Sequence, residues 1–216
     1  VLFDMDGLLV DTEPLWSLAE IELAEHLGGA WTDALKAAIV GTRLEVAVPT
    51  ILTGLGHLPT PELVAETTGR LLARMVQLFA GELLPRPGAV ALHTALRAAG
   101  IPVALVSSSY RVLVDAVLHR TGLAFDLTLA GDEVVRAKPD PEPYLAACRV
   151  LGAEPARAVV LEDSPAGVAS GEAAGCAVVA VPDLAAVRFD PAPRRLVVSS
   201  LAQITPAQLR ELAARP

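Results

Sequence analysis

Short, nearly continuous apolar runs rich in Val, Leu and Ala recur at residues 1–3, 102–106, 127–130, 158–161 and 177–181. Runs of this length and make-up predict strands buried on both faces. Between them, residues 89–99, 111–120, 141–151 and 165–174 place apolar side chains three and four apart, the spacing of helices with one buried stripe. The punctuation agrees: Pro87-Gly88 and Asp140-Pro141 open helical segments, and Gly100 and Gly152 close them. Strand and helix in alternation predict an α/β fold built on a parallel sheet.

Residues 13–81 break that alternation. They carry helical patterns at 15–27, 44–52 and 61–78 and no convincing strand. The expected organisation is an α/β core from residues 1–12 and 82–216 with an inserted helical domain at 13–81. Because the insertion leaves directly after the first strand, it is expected to stand over the carboxyl ends of the strands as a cap, where open α/β sheets bind ligands. Residues 183–195 are expected to form an irregular surface connection, 195–198 a late strand and 206–214 a terminal helix.

Composition narrows the function classes. Of 216 residues 53% are hydrophobic, yet Gly, Pro and charges interrupt them before any run reaches membrane-spanning length. With no signal-peptide pattern at Val1, the expected location is cytoplasmic. The start inside an apparent strand suggests that residues precede Val1. A net charge of -8 without a Lys/Arg cluster argues against nucleic acid and anionic membranes as partners, and favours a small molecule. Cys148 and Cys176 lack metal-ligand spacing and are expected to be buried free thiols.

Candidate chemistry gathers at the ends of the apolar runs. The first run leads into Asp4-Met5-Asp6-Gly7, two acids at a strand end where the chain turns and both can face a cleft. A carboxylate can attack phosphorus when a divalent cation screens the substrate charge, and a second carboxyl then moves the protons. Asp4 suits the first role and Asp6 the second. Two such acids repel and lose solvation, a cost that a cation relieves. The fourth run ends in Glu162-Asp163-Ser164. Mg2+ accepts a few carboxylates completed by water and substrate oxygens, so Asp4, Asp163 and a backbone carbonyl of Asp6 form the expected metal site, with Glu162 behind it or bridged by water. Ser107-Ser108-Ser109 follows the second run, placing hydroxyls and N–H groups at a helix start, a pattern that favours phosphate but also serves ordinary capping. Lys138, one of only two lysines, precedes Pro139-Asp140-Pro141 and could neutralise a transferring phosphoryl group.

Taken in order, Asp4-x-Asp6-Gly7, Ser107, Lys138-Pro139 and Glu162-Asp163 resemble the haloacid dehalogenase superfamily across the whole chain. Asp11-Thr12-Glu13, Lys138-Pro139-x-Pro141 and Leu161-Glu162-Asp163-Ser164-x-x-Gly167 are similar to its branch of β-phosphoglucomutases and sugar-phosphate phosphatases, including the 2-deoxyglucose-6-phosphatase and hexitol phosphatase group. The resemblance implies a Rossmann-like core with a helical cap, Mg2+ as cofactor, Asp4 as nucleophile, Asp6 as acid/base, and Ser107 and Lys138 at the phosphoryl group. It also makes Arg43 a candidate substrate contact, with Arg111 a weaker one. The mutases of this branch carry a cap histidine where Trp16 stands, which favours a phosphatase acting on a small phosphorylated metabolite. A phosphomutase and a noncatalytic receiver-like module are the alternatives; dehalogenation is disfavoured because Asp6 is present.

Overall fold

The computed structural model describes residues 1–39, 42–81, 83–182 and 187–216. The chain forms two compact units, one from Val1–Asp11 with Leu84–Pro216 and one from Thr12–Leu83.

In the first unit, strands β1 (Leu2–Phe3), β2 (Ala104–Val106), β3 (Leu127–Leu129), β4 (Val159–Glu162), β5 (Ala177–Ala180) and β6 (Arg195–Val197) form a parallel sheet in the order β3-β2-β1-β4-β5-β6. Helices α5 (Ala89–Ala98), α6 (Arg111–Thr121), α7 (Glu142–Val150), α8 (Pro165–Ala173) and α9 (Pro206–Ala213) connect and cover it. Alternation along β1 shows the two buried faces. Leu2 packs with Tyr144, Ala147 and Val168 from α7 and α8, while Phe3 turns the other way onto His93 of α5 and onto Phe125. Cys148 and Cys176 are buried free thiols.

The strand order decides where chemistry can occur. From β1 the chain steps outward to β2 and β3, then returns to lay β4 against the other side of β1. The connections therefore diverge beside β1, opening a crevice at the carboxyl ends of β1, β2 and β4. Register makes the alignment tight: Phe3 lies opposite Leu105 and Leu161, and the Asp4 N–H donates to the Leu161 carbonyl at 3.0 Å.

The second unit is helical among its described residues, with α1 (Glu13–His26), α2 (Asp33–Ile39), α3 (Leu44–Gly54) and α4 (Pro61–Phe79). Helix α2 lay outside the apolar pattern. It contributes one buried residue, Ile39, but its Lys36 ties it to α1 through Glu13 at 2.7 Å and the buried Glu20 at 2.8 Å. Thr12 takes the N-cap position of α1 without a side-chain capping bond, whereas Thr60 caps α4 by accepting from the Leu63 N–H. Part of the expected irregular connection, residues 183–186, and Gly41 beside Arg43 lie outside the described residues. No helix among the described residues is long and apolar enough to cross a membrane.

Candidate active site

Asp4 leaves β1 at the crevice, and the chain turns at once. The Leu9 and Val10 N–H groups donate back to the Met5 carbonyl, and the Gly7 N–H donates to the Val10 carbonyl. Gly7 has φ 78, a left-handed conformation that a side chain would resist, so the glycine lets the turn stay this tight. Asp6 is thereby carried round to the serine loop after β2. Its Oδ2 accepts from the Ser109 hydroxyl at 2.8 Å and the Ser107 hydroxyl at 3.3 Å.

Lys138 arrives from the loop before α7 and is buried. Its ammonium donates to Asp4 Oδ1 at 2.6 Å, Glu162 Oε1 at 2.6 Å and the Val106 carbonyl at 2.9 Å, so its three protons meet the residue after β1 and the last residues of β4 and β2. Burial alone would lower its proton affinity, but the charges of Asp4 and Glu162 outweigh that and hold it above the ordinary lysine value. The Asp4 carboxyl is raised well above its ordinary range, first by burial and then by the charge of Glu162, with Lys138 acting in the opposite direction.

Glu162 is fully buried and surrounded by donors. Oε1 accepts from Lys138 and from the Tyr144 hydroxyl at 2.7 Å; Oε2 accepts from the N–H groups of Asp163 and Ser164 and from the Ser164 hydroxyl. Tyr144 is itself fully buried, and its ring lies 4.9 Å below the Lys138 ammonium. Burial, and then the charge of Glu162, raises the Tyr144 phenol well above its usual range, so it remains a donor.

Asp4, Glu162 and Asp163 each bring a carboxylate oxygen within 4.8 Å of the others. Hard oxygen donors of this kind suit Mg2+ or another small divalent cation. Within that trio the five donors around Glu162 occupy its acceptor capacity. The oxygens best suited to an ion are therefore those of Asp4 and Asp163. The Asp6 side chain lies on the serine side, which leaves its backbone carbonyl as the atom of that residue suited to a metal.

The fold thus brings together Asp4, Asp6, Ser107, Lys138, Glu162 and Asp163 from four sequence segments. Two of the three N–H groups expected at the serine triplet are engaged inside the protein: Ser107 donates to the Leu129 carbonyl at 3.0 Å and Ser109 to the Ser107 hydroxyl at 2.9 Å. The Ser108 N–H is thus the backbone donor of the triplet to consider for phosphate. Arg43 belongs to the helical unit, at the N-cap of α3 with Nε 3.6 Å from Glu45. Arg111, the weaker of the two candidate substrate contacts, has its guanidinium bound to Glu133, Asp115 and Thr128. Tyr144 and the role of Ser109 toward Asp6 escaped the sequence reading. Ser109 stood in the triplet, but nothing local linked Tyr144 to a glutamate 18 positions away.

Comparison with known proteins accords with this geometry. Residues 1–175 match the family described as hydrolase, haloacid dehalogenase-like hydrolase. Hexitol phosphatase A of Escherichia coli (strain K12) is 37% identical over 184 residues, covering 83% of this chain and 81% of that protein. The phosphorylated carbohydrates phosphatase of Thermotoga maritima is 32% identical over 177 residues, 81% of each. The structure of CbbY from Rhodobacter sphaeroides in complex with phosphate superposes with a TM-score of 0.86 at 31% identity, covering 96% of this chain and 97% of that one. The chain belongs to the haloacid dehalogenase-like hydrolases, on the phosphatase side of that family.

Proposed function

We propose that the chain is a Mg2+-dependent phosphatase that releases phosphate from a small sugar or polyol phosphate through a phosphorylated Asp4. The observation that carries this reading is the buried Lys138 ammonium bonded at 2.6 Å to both Asp4 and Glu162, with Asp163 beside them at the strand ends. Lys138 takes Asp4 Oδ1, so attack on phosphorus falls to Oδ2. As the Oδ2–P bond forms, the ester P–O bond breaks and the leaving oxygen takes a proton from Asp6. A water molecule then loses one of its own protons to Asp6 while its oxygen bonds to phosphorus, and the Asp4 Oδ2–P bond breaks to release phosphate. Ser107 and the Ser108 N–H hold phosphoryl oxygens, and Lys138 offsets the charge that develops on them. Mg2+, held by Asp4, Asp163 and the Asp6 carbonyl, would screen the negative charge of nucleophile and substrate. The names of the E. coli and T. maritima relatives support the substrate class.

The test is phosphate release from a panel of phosphorylated sugars, polyols, glycolate and nucleotides, with Mg2+ and with a chelator, for the wild type and Asp4→Asn. The wild type should turn over sugar or polyol phosphates only with Mg2+. Asp4→Asn should stay folded while losing turnover and acid-stable labelling by radioactive substrate. Sugar-phosphate isomerisation without phosphate release would replace the phosphatase reading with a mutase. Retained turnover by Asp4→Asn would remove the nucleophile assignment.

A further inference from the structure

Arg111 is the first residue of α6, two positions after the serine triplet, and its guanidinium is taken up by Glu133, Asp115 and Thr128. Nε and Nη2 grip both oxygens of Glu133 at 3.0 and 2.5 Å, Nη1 donates to the Thr128 hydroxyl at 3.0 Å and to Asp115 at 3.3 Å, and Nη2 also donates to the Thr128 carbonyl at 3.2 Å. Its backbone N–H is held by Asp132 at 2.8 Å. These contacts sew the end of the serine loop to β3 and the short turn Gly131–Glu133.

The same turn touches the loop directly. The Gly131 N–H donates to the Ser109 carbonyl at 2.8 Å, and a Cβ at Gly131 would stand 2.0 Å from the Ser108 carbonyl oxygen. No side chain fits there, so the Ser108–Ser109 backbone rests on a bare glycine. Glu133 also accepts from the Ala130 N–H at 2.8 Å, which fixes the carboxylate that Arg111 grips. Arg111 lowers the proton affinity of Glu133, as its paired geometry requires.

We propose that Arg111 is a positioning residue of the phosphate site, acting through Glu133 and the Gly131 turn to fix the Ser107–Ser109 backbone rather than by touching substrate. The proposal rests on the reading of the serine loop as a phosphate cradle. Arg111 and Glu133 are partly exposed, so their pairing adds little to global stability. The planar two-bond grip supplies orientation, which an ammonium could not reproduce.

The test measures inhibition by inorganic phosphate, together with KM and kcat for p-nitrophenyl phosphate, in the full chain. The variants are Arg111→Met, Glu133→Gln, their double, Arg111→Lys and Ser107→Ala. Arg111→Met and Glu133→Gln should each weaken phosphate inhibition and raise KM by a similar factor, about fivefold, with kcat held within about twofold. The double variant should be no worse than either single, because both remove one grip. Arg111→Lys should fall between the wild type and Arg111→Met. If Arg111→Met weakens phosphate while Glu133→Gln leaves it unchanged or tightens it, Arg111 reaches phosphate itself and the proposal is wrong. If neither changes phosphate inhibition while Ser107→Ala does, the clamp fails and the cradle stands; a silent Ser107→Ala removes the cradle and the clamp with it. Should Arg111→Met fail to fold, Arg111→Lys and Glu133→Gln decide the same question.

Discussion

Gly167, in the first turn of α8, gives the sharpest test of how the site is built. A Cβ there would lie 1.8 Å from Cδ and Oε1 of Glu162 and 2.1 Å from Oε2. Ordinary contact needs about 3.5 Å, so in Gly167→Ala either the carboxylate or the helix must retreat by about 1.5 Å. Bonds of 2.6 Å to Lys138 and 2.7 Å to Tyr144 do not survive such a shift. Disrupting a buried ion pair costs about 3–5 kcal/mol, while alanine in place of helical glycine gains about 1 kcal/mol, so the expected net loss is about 2–4 kcal/mol. Gly69 provides the opposite case. It lies in the interior of α4 with nothing within 4 Å of its Cβ position, so Gly69→Ala should gain about 1 kcal/mol. Urea unfolding followed by circular dichroism, with linear extrapolation at constant slope, reads both values. Phosphate release should fall at least about tenfold in Gly167→Ala, because Lys138 loses its second anchor. If Gly167→Ala is as stable and active as the wild type, the donor cage around Glu162 does not hold Lys138, and the account of the site built on it fails.

Tyr144→Phe keeps the volume but removes one donor to Glu162, and should lower kcat about tenfold with KM little changed and the fold retained; steady-state kinetics with an unchanged kcat would show that the hydroxyl plays no part in positioning. His93 is buried between Phe3, Phe125 and the Ala124 carbonyl, with Arg97 and Asp126 nearby, and its proton affinity is lowered, first by burial. The unfolded chain therefore binds this proton first as pH falls through about 6.5, so the contribution is neutral above that pH and turns destabilising below it, by at most about 1.4 kcal/mol per pH unit. Urea unfolding at about pH 7.5 and about pH 5.5 should show a smaller acid loss in His93→Gln than in the wild type, and equal losses would contradict the assignment.

Much of the fold was readable because the central strands, buried on both faces, appear as nearly continuous apolar runs, and the runs end where their sequels share one edge of the sheet. That is why Asp4, Ser107 and Glu162 stood out: each follows an apolar run. Helix α2 stayed hidden because its seven residues bury one side chain, Ile39, and the Lys36 bonds to Glu13 and Glu20 are polar contacts with no periodic signature. Tyr144 read as one more apolar position of α7, since the distinction between a core phenol and one serving Glu162 lies in a contact between distant segments. Arg111 illustrates the same limit in the other direction. The resemblance made it a weaker candidate for substrate, and its partner Glu133, 22 positions on in the turn Gly131–Glu133, could not be read from its local sequence.

The charges explain why these residues occupy different roles under the proposed mechanism. Asp4, Glu162 and Lys138 bury two negative groups with one positive group, an arrangement tolerable only if every charge is bonded. Glu162 meets that condition entirely with protein donors, which makes it an anchor: it fixes Lys138 from one side and the start of α8 from the other. Asp4 meets it only in part. Its proton affinity is raised, first by burial and then by Glu162, even with Lys138 bonded to it, and with Asp163 beside them three carboxylates stand around the one Lys138 ammonium. A divalent cation between Asp4 and Asp163 would remove that excess and keep Asp4 ionised where a nucleophile is required. The deficit that makes Asp4 costly to bury would thus favour a bound cation under the proposed mechanism, and Lys138, already committed to three acceptors, cannot take the cation's place.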